Sequence, residues 1–182
     1  MRTFEDGPWY AVHVKSRHEK LVATLLEGRG LDVFLPLSRT RRTWSDRVKL
    51  VDMPVFPGYV FASFERAQHL SVLQSAGVLR VVGFGDELTP VSPQELRAVA
   101  RLASSGLALV PWANLSEGEN IYLERGPLRG LEGIVAKVKG TWRLVVSVSL
   151  LQRAVAVEID RNWVRPVASP RSGLRPIEAL AS

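Results

Sequence analysis

The sequence predicts an α+β protein of two parts, in which a mixed helix-and-strand part precedes a small five-stranded β-barrel. Two S-x-x-E helix-start patterns, at 16–19 and 92–95, stand between β-rich runs in the first part. Later in the chain the apolar runs are short, rich in β-branched residues and separated by glycines, which is typical of a small barrel. The predicted segments are a first domain at 1–106, a linker at 107–116, a barrel domain at 117–168 and a flexible tail at 169–182.

The composition limits the class of protein. Of the 182 residues, 46% are hydrophobic and 23% are charged, so the chain can bury a core and is not expected to be disordered. No apolar run reaches the roughly 18 residues that cross a bilayer, and the first residues lack the apolar region of a signal peptide. We therefore expect a cytoplasmic protein with no membrane partner. The absence of cysteine excludes disulfides and thiolate metal sites.

The charge favours a binding protein over an enzyme. The net charge of +6 is carried mostly by arginine and favours a polyanionic partner, of which nucleic acid is the commonest. The histidines His13, His18 and His69 have no metal-ligand spacing, and there is no nucleophile elbow, phosphate-binding loop or paired-carboxylate signature. We expect a protein that is not an enzyme and that uses no cofactor or metal.

The first part opens with a strand, a helix and a second strand. The run Trp9–Val14 is apolar and rich in β-branched and aromatic residues, which predicts a strand. The S-x-x-E pattern from Ser16 to Glu19 predicts a capping box at the start of a helix, which Gly28 ends. A second strand is predicted at 31–37.

A strongly basic stretch follows at 38–50 and predicts an exposed hairpin tip or loop. Its cations are Arg39, Arg41, Arg42, Arg47 and Lys49. A second basic cluster lies at the junction of the first strand and helix, where the helix N-terminus adds its own positive end. Its members are Lys15, Arg17, His18 and Lys20. Each cluster is either an ordinary solvated surface or a contact for nucleic-acid phosphates, which Trp44 of the first cluster would support by stacking.

The stretch PVFPGYVF, residues 54–61, stiffens the entrance to a strand with two prolines. Tyr59 and Phe61 are two residues apart, so they share one face of that strand, and Val60 lies on the other. The two aromatics are either core residues or the lining of a groove that receives a helix from another protein.

The remaining elements follow in order. A short helix is predicted at 66–75, a strand at 78–82 and a turn at 83–86. Ser92, followed by a proline and by Glu95 at the third helical position, predicts a second capped helix. In the barrel, the glycines at 126–133 predict tight hairpin turns with positive φ.

Together these pieces resemble the NusG family of transcription elongation factors. The opening WYAVHVKSRHEKLVATLLEGRGLDVFLPL, the PVFPGYVF strand and VLRVVGFGDELTPVSPQEL resemble its N-terminal (NGN) domain. The stretches ERGPLRGLEGIVAKVKG and SVSLLQRAVAVEID resemble its KOW motif and the closing strands of the KOW barrel. The resemblance implies an NGN α/β sandwich, with an antiparallel sheet flanked by helices, linked to a KOW β-barrel. It also implies a monomer that promotes processive transcription or antitermination.

The resemblance also implies three contacts of the NGN domain. The clamp helices of the RNA polymerase β′ subunit would bind Phe56, Tyr59 and Phe61. Non-template DNA would contact Lys15, Ser16, Arg17, His18, Lys20, Gln74 and Ser75. The β gate loop of the polymerase would contact Gln68, His69, Leu70 and Ser71, a stretch that departs from the polar motif of RfaH-type members.

In the barrel, the resemblance implies a KOW turn at Gly130 and Gly133 and a partner loop. The loop is formed by Leu150, Leu151, Gln152 and Arg153. General family members bind ribosomal protein S-ten or the termination factor Rho through a phenylalanine-glycine-arginine loop. Here Leu151-Gln152-Arg153 lacks the aromatic anchor, which predicts weaker Rho binding.

This departure favours a specialised RfaH-type paralogue that serves long operons. Two alternatives stay open. One is the general housekeeping factor that couples to Rho and the ribosome. The other is a KOW-type RNA-binding, ribosome-associated protein, in which Tyr59 and Phe61 are core residues and Arg39, Arg41, Arg42 and the barrel bind structured RNA.

Overall fold

The computed structural model describes residues 3–43, 48–84, 87–112, 119–138 and 140–166. The first part contains β1 (Trp9–Val14), α1 (Glu19–Glu27), β2 (Asp32–Phe34), β3 (Leu37–Thr43), β4 (Val48–Pro54), β5 (Tyr59–Ser63), α2 (His69–Leu73), β6 (Val78–Val81), β7 (Gly83–Phe84), β8 (Glu87–Leu88) and α3 (Pro93–Ser104). The second contains β9 (Leu109–Trp112), β10 (Glu119–Leu123), β11 (Glu132–Val138), β12 (Thr141–Val148), β13 (Arg153–Ile159) and β14 (Val164–Pro166). Short 3₁₀ turns lie at Arg66–Gln68, Ser149–Leu151 and Arg161–Trp163.

An antiparallel four-stranded sheet organises the first part, in the order β2-β5-β1-β6. Side chains alternate across this sheet, so β1 buries Val12 against one face and Trp9 against the other. Helices α1 and α2 contribute Val22 and Val72 to the first of these cores, and α3 contributes Leu96 to the second. The predicted α+β class, with an antiparallel sheet flanked by helices, is confirmed.

The second part is an antiparallel sheet of six strands, in the order β14-β10-β11-β12-β13-β9. The prediction of five strands is wrong by one, because Leu109–Trp112 lies in the predicted linker and pairs with β13. This strand lacks a clear alternation since its residues are half-buried or exposed, and Pro111 suits an edge strand. Among the described residues, β9 and β14 lie at opposite ends of the strand order and do not pair. The domain boundaries stay a prediction, and the tail from 167 lies outside the described residues.

One cluster of buried side chains joins the two parts. It includes Trp9 and Phe61 from the first sheet, Leu96 from α3, and Leu144 and Val155 from the six-stranded sheet. Polar contacts accompany it: Glu95 Oε1 accepts from the amide and the hydroxyl of Ser149, at 3.1 and 2.6 Å. Arg101 donates to the Arg129 carbonyl. We call this packing of the two parts the closed arrangement.

Of the two predicted capping boxes, one forms in part and the other does not form. Ser92 caps α3, and its hydroxyl accepts from the Glu95 amide at 3.5 Å. In α1 the N-cap residue is His18 and makes no side-chain capping bond. Arg17 has φ of +64°, a left-handed conformation that separates Ser16 from the helix, so the Ser16 prediction is wrong.

None of the helices in the described part of the chain combines the length and hydrophobicity that a membrane span requires.

Candidate functional site

Residues 56–59 form a tight turn that leads into β5. The Tyr59 amide donates to the Phe56 carbonyl at 3.1 Å, and Gly58 has φ of +85°. Proline at the second position of a turn and a positive-φ glycine at the third specify a type II β-turn. The proline and glycine therefore fix the direction from which Tyr59 enters the sheet.

Two long-range hydrogen bonds hold the peptide that joins Pro57 and Gly58. Its N–H, on Gly58, donates to Glu19 Oε1 at 2.8 Å. Its carbonyl, on Pro57, accepts from Arg153 Nη1 at 3.3 Å. The Gly58 carbonyl also accepts from the Val14 amide at 2.9 Å, which ties the 56–59 turn to β1. The turn is thus fixed by α1, β1 and β13 together.

The ring of Tyr59 contacts an imidazole and a guanidinium. His13 is its register partner on β1 and stacks on it, with ring centroids 5.0 Å apart and an interplanar angle of 24°. The guanidinium carbon of Arg153 lies 4.9 Å from the Tyr59 centroid, within the range of a cation–π interaction. Tyr59 is half-buried, so its ring is both accessible and in contact with the six-stranded sheet.

The other two aromatic residues of the predicted groove lie in the core. Phe56 is 2% exposed and Phe61 is 0% exposed. Their rings pack edge to face with centroids 6.0 Å apart, and Phe34 stacks on Phe61 at the same distance. Of the three residues predicted to contact the clamp helices, Tyr59 alone has an accessible ring in the closed arrangement.

The pKa of His13 reports on its surroundings. Burial, and then the positive charges of Arg80 and Arg153, lower this pKa below its ordinary value of 6.5. Arg80 is the register partner of His13 on β6 and is exposed. The neutral imidazole is therefore favoured beside the Tyr59 ring.

The loop between β1 and α1, with the first turn of the helix, presents the second basic cluster. Lys15, Ser16, Arg17 and Lys20 are exposed, whereas His18 is half-buried and donates from Nδ1 to the Ser16 carbonyl at 2.9 Å. The left-handed backbone of Arg17 costs a non-glycine residue about 1–2 kcal/mol. We call residues 15–20 the basic loop.

The other predicted DNA contacts differ in exposure. Gln74 is exposed where α2 ends, while Ser75 is 3% exposed and its hydroxyl donates to the Ser71 carbonyl at 3.2 Å. Ser75 therefore has no accessible side chain in this arrangement. Arg80 and Glu19 complete the site. No motif predicted Arg80, and the S-x-x-E pattern predicted only a capping role for Glu19.

The predicted gate-loop stretch spans the 3₁₀ turn and α2. Gln68 accepts from the Glu65 amide at 2.9 Å, and the His69 ring stacks on Phe64 with centroids 6.5 Å apart. Leu70 is exposed, and Ser71 accepts hydrogen bonds from Arg29.

The basic hairpin forms from β3 and β4. Arg39 pairs with Asp52 at 3.4 Å on an exposed surface. In the register, Arg41 lies opposite Leu50 and Arg42 lies opposite Lys49. Trp44 and Arg47 lie outside the described residues.

The predicted partner loop of the barrel contacts the first part of the chain. Leu150 and Leu151 are half-buried against the shared core cluster, Gln152 has φ of +49°, and Arg153 reaches Pro57 and Tyr59. The two surfaces that the resemblance assigns to different partners therefore touch each other.

The two glycines of the predicted KOW turn have different roles. Gly130 has φ of +84°, as predicted, but Gly133 lies in β11 without positive φ, so the prediction is wrong for Gly133. A Cβ atom on Gly133 would lie 2.8 Å from Leu144 Cδ1, so close packing is what requires glycine there.

No group of carboxylate and imidazole side chains suited to a metal ion occurs within the ranges that the structure describes.

Comparison with known proteins places the chain in a family. Residues 7–100 match the family model described as "Transcription termination factor nusG". The chain is 30% identical over 174 residues to the transcription termination/antitermination protein NusG of Escherichia coli K12. The match covers 86% of this chain and 94% of that protein. The chain belongs to the NusG family. It is also 27% identical over 174 residues to NusG of Halalkalibacterium halodurans, covering 87% of this chain and 98% of that protein.

A solved structure of Thermotoga maritima NusG, titled for its domain interaction, shares the fold of this NusG-family chain. The TM-score is 0.55 at 20% identity, and the match covers 88% of this chain and 97% of the other.

For this NusG-family chain, we expect Phe61→Ala to lower the free energy of unfolding by about 3–5 kcal/mol, because its ring is fully buried. Tyr59→Ala removes a half-buried ring and should cost about 1–2 kcal/mol. Urea denaturation of both variants measures the difference. Equal costs would contradict the surface position of Tyr59.

We expect NMR titration to give His13 a pKa below 6.5, and Arg153→Ala to raise it because one nearby cation is removed. The folded state favours the neutral ring of His13. The contribution of His13 to the free energy of unfolding is therefore complete above pH 6.5, the ordinary pKa, and is lost as the pH falls through the lowered pKa of the folded state. Arg143→Ala, on the same sheet as Arg153, is the control. If Arg153→Ala leaves the pKa of His13 unchanged, the contact between the two parts is wrong.

Proposed function

We propose that this NusG-family transcription termination/antitermination factor binds the β′ clamp helices of RNA polymerase through Tyr59 and the 56–59 turn. The observation that carries the proposal is the half-exposed Tyr59 ring on a turn fixed by three elements. A rigid, partly exposed aromatic is the residue type that dominates protein interfaces, and an ordered turn loses little entropy on binding. Phe56 and Phe61 belong to the buried cluster against which Tyr59 packs.

Polymerase and the chain's own six-stranded sheet would compete for Tyr59. Arg153 covers this ring and binds the carbonyl beside it, so a clamp helix seated on Tyr59 would displace Arg153. Binding would then favour an open arrangement, in which the six-stranded sheet has moved away from Tyr59. The shift in the equilibrium between the closed and open arrangements would be set by the difference in their affinities for polymerase.

We propose that the basic loop contacts nucleic acid in the same complex. It follows Val14, at the end of β1 where His13 pairs with Tyr59 on one side and Arg80 on the other. If Tyr59 docks on a clamp helix, the basic loop would therefore lie next to that contact. Its contact would be the exposed non-template strand, whose phosphates would bind the predicted residues Lys15, Ser16, Arg17, His18, Lys20 and Gln74.

The partner loop supports a specialised role. Leu151 and Gln152 replace the aromatic and glycine of the general family loop, and Leu151 is half-buried in the closed arrangement. We infer that the protein serves particular long operons, that Rho binding is weak, and that contact with ribosomal protein S-ten requires the open arrangement. The protein acts by shifting a conformational equilibrium of polymerase and not by catalysis.

The test is binding to a stalled elongation complex with an exposed non-template strand. Tyr59→Ala should weaken binding at least tenfold, since it removes the central anchor. Tyr122→Ala is the matched control, because Tyr122 is also half-buried and also lies beside an arginine, Arg165, at 5.6 Å. Arg153→Ala should bind more tightly than the wild type. Wild-type affinity in a folded Tyr59→Ala variant would sink the proposal and favour an RNA or ribosome partner.

A further inference from the structure

The carboxylate of Glu19 occupies an unusual position. It is 6% exposed, and it is the one carboxylate among the buried residues of the described ranges. Burying a carboxylate is unfavourable unless its charge is stabilised and its oxygens accept hydrogen bonds. Here Glu19 lies in the first turn of α1, where the helix dipole favours a negative charge.

The hydrogen bond from Gly58 gives the buried Glu19 carboxylate a role in the 56–59 turn. In a type II turn the central peptide points its N–H to one side of the turn and its carbonyl to the other, and in a type I turn this peptide is rotated by about half a circle. Pro57-Gly58 is compatible with both types, because glycine also tolerates the negative φ of type I. The sequence therefore favours type II but does not exclude type I.

Glu19 stabilises the type II orientation. Its Oε1 accepts from Gly58 N–H at 2.8 Å, and hydrogen bonds to ionised acceptors are stronger than those between neutral groups. With the N–H held in this direction, the Pro57 carbonyl points the opposite way, where Arg153 Nη1 donates to it at 3.3 Å. One peptide group thus links a helix of the first part to a strand of the second.

We propose that Glu19 is a positioning residue for the docking surface. Its buried carboxylate holds the Pro57–Gly58 peptide in the type II orientation, and through that peptide it positions the carbonyl used by Arg153 and the approach of Tyr59. A rotation of this peptide would therefore break both of its hydrogen bonds, the one to Glu19 and the one to Arg153. The consequence for polymerase binding rests on the proposed function, whereas the link itself does not.

The test compares Glu19→Ala, Glu19→Gln and the control Glu27→Ala, an exposed glutamate at the other end of α1. In the full chain, we expect the Gly58 amide to exchange with solvent about tenfold faster in Glu19→Ala, because its acceptor is lost. Glu19→Gln keeps an acceptor oxygen and should restore most of the protection. Contacts between the Tyr59 ring and Arg153, measured by NMR, should weaken in Glu19→Ala and persist in the other two variants.

Three results would overturn the proposal. The first is unchanged Gly58 exchange in Glu19→Ala, and the second is an equal effect of Glu27→Ala. The third applies even if Glu19→Ala does not fold, and it is an unchanged Gly58 amide resonance in Glu19→Gln, where a neutral acceptor replaces a charged one. These readouts contain no polymerase. Their failure is therefore distinct from normal polymerase binding by Tyr59→Ala, which would overturn the proposed function and leave the role of Glu19 intact.

Discussion

The orientation of one peptide, between Pro57 and Gly58, is the constraint on which the site depends. Proline fixes φ at the second position of the turn and glycine permits the positive φ at the third. The N–H then meets Glu19 and the carbonyl meets Arg153, so the turn is held from both sides. The position of Tyr59 as the first residue of β5, half-exposed beside His13, follows from that geometry.

Apolar and polar contacts contribute differently to the closed arrangement. The shared cluster buries large side chains such as Phe61, Leu96 and Leu144, each worth about 1.5–3 kcal/mol on burial. The exposed contacts of Arg153 are each worth about 1 kcal/mol or less. Apolar burial therefore supplies most of the free energy, and the polar contacts determine which surface is covered.

Much of the fold follows from local patterns in the sequence. Alternation in β1 and β5 places Tyr59 and Phe61 on one face, and Ser92 with the following proline starts α3. The first strand of the second sheet was missed because its half-buried residues and Pro111 give no alternation. Gly133 was assigned the wrong role, since close packing against Leu144 depends on a distant strand and not on the local turn.

The two glutamates show why the site was harder to predict than the fold. Both stand in an S-x-x-E pattern, which describes a capping bond within the first turn of a helix. Instead, Glu19 accepts from Gly58 and Glu95 accepts from Ser149, residues 39 and 54 positions away. Local sequence cannot encode such partners, because they meet only after the sheets have packed. The same holds for Arg153, whose contacts with Pro57 and Tyr59 cross from one part of the chain to the other.

The most direct test of the central claim is an electron cryo-microscopy structure of this protein on a stalled elongation complex. The account predicts that the Tyr59 ring packs on a clamp helix, that Arg153 has left it, and that the basic loop faces the non-template strand. A complex in which polymerase contacts another surface, while Arg153 still covers Tyr59, would contradict it.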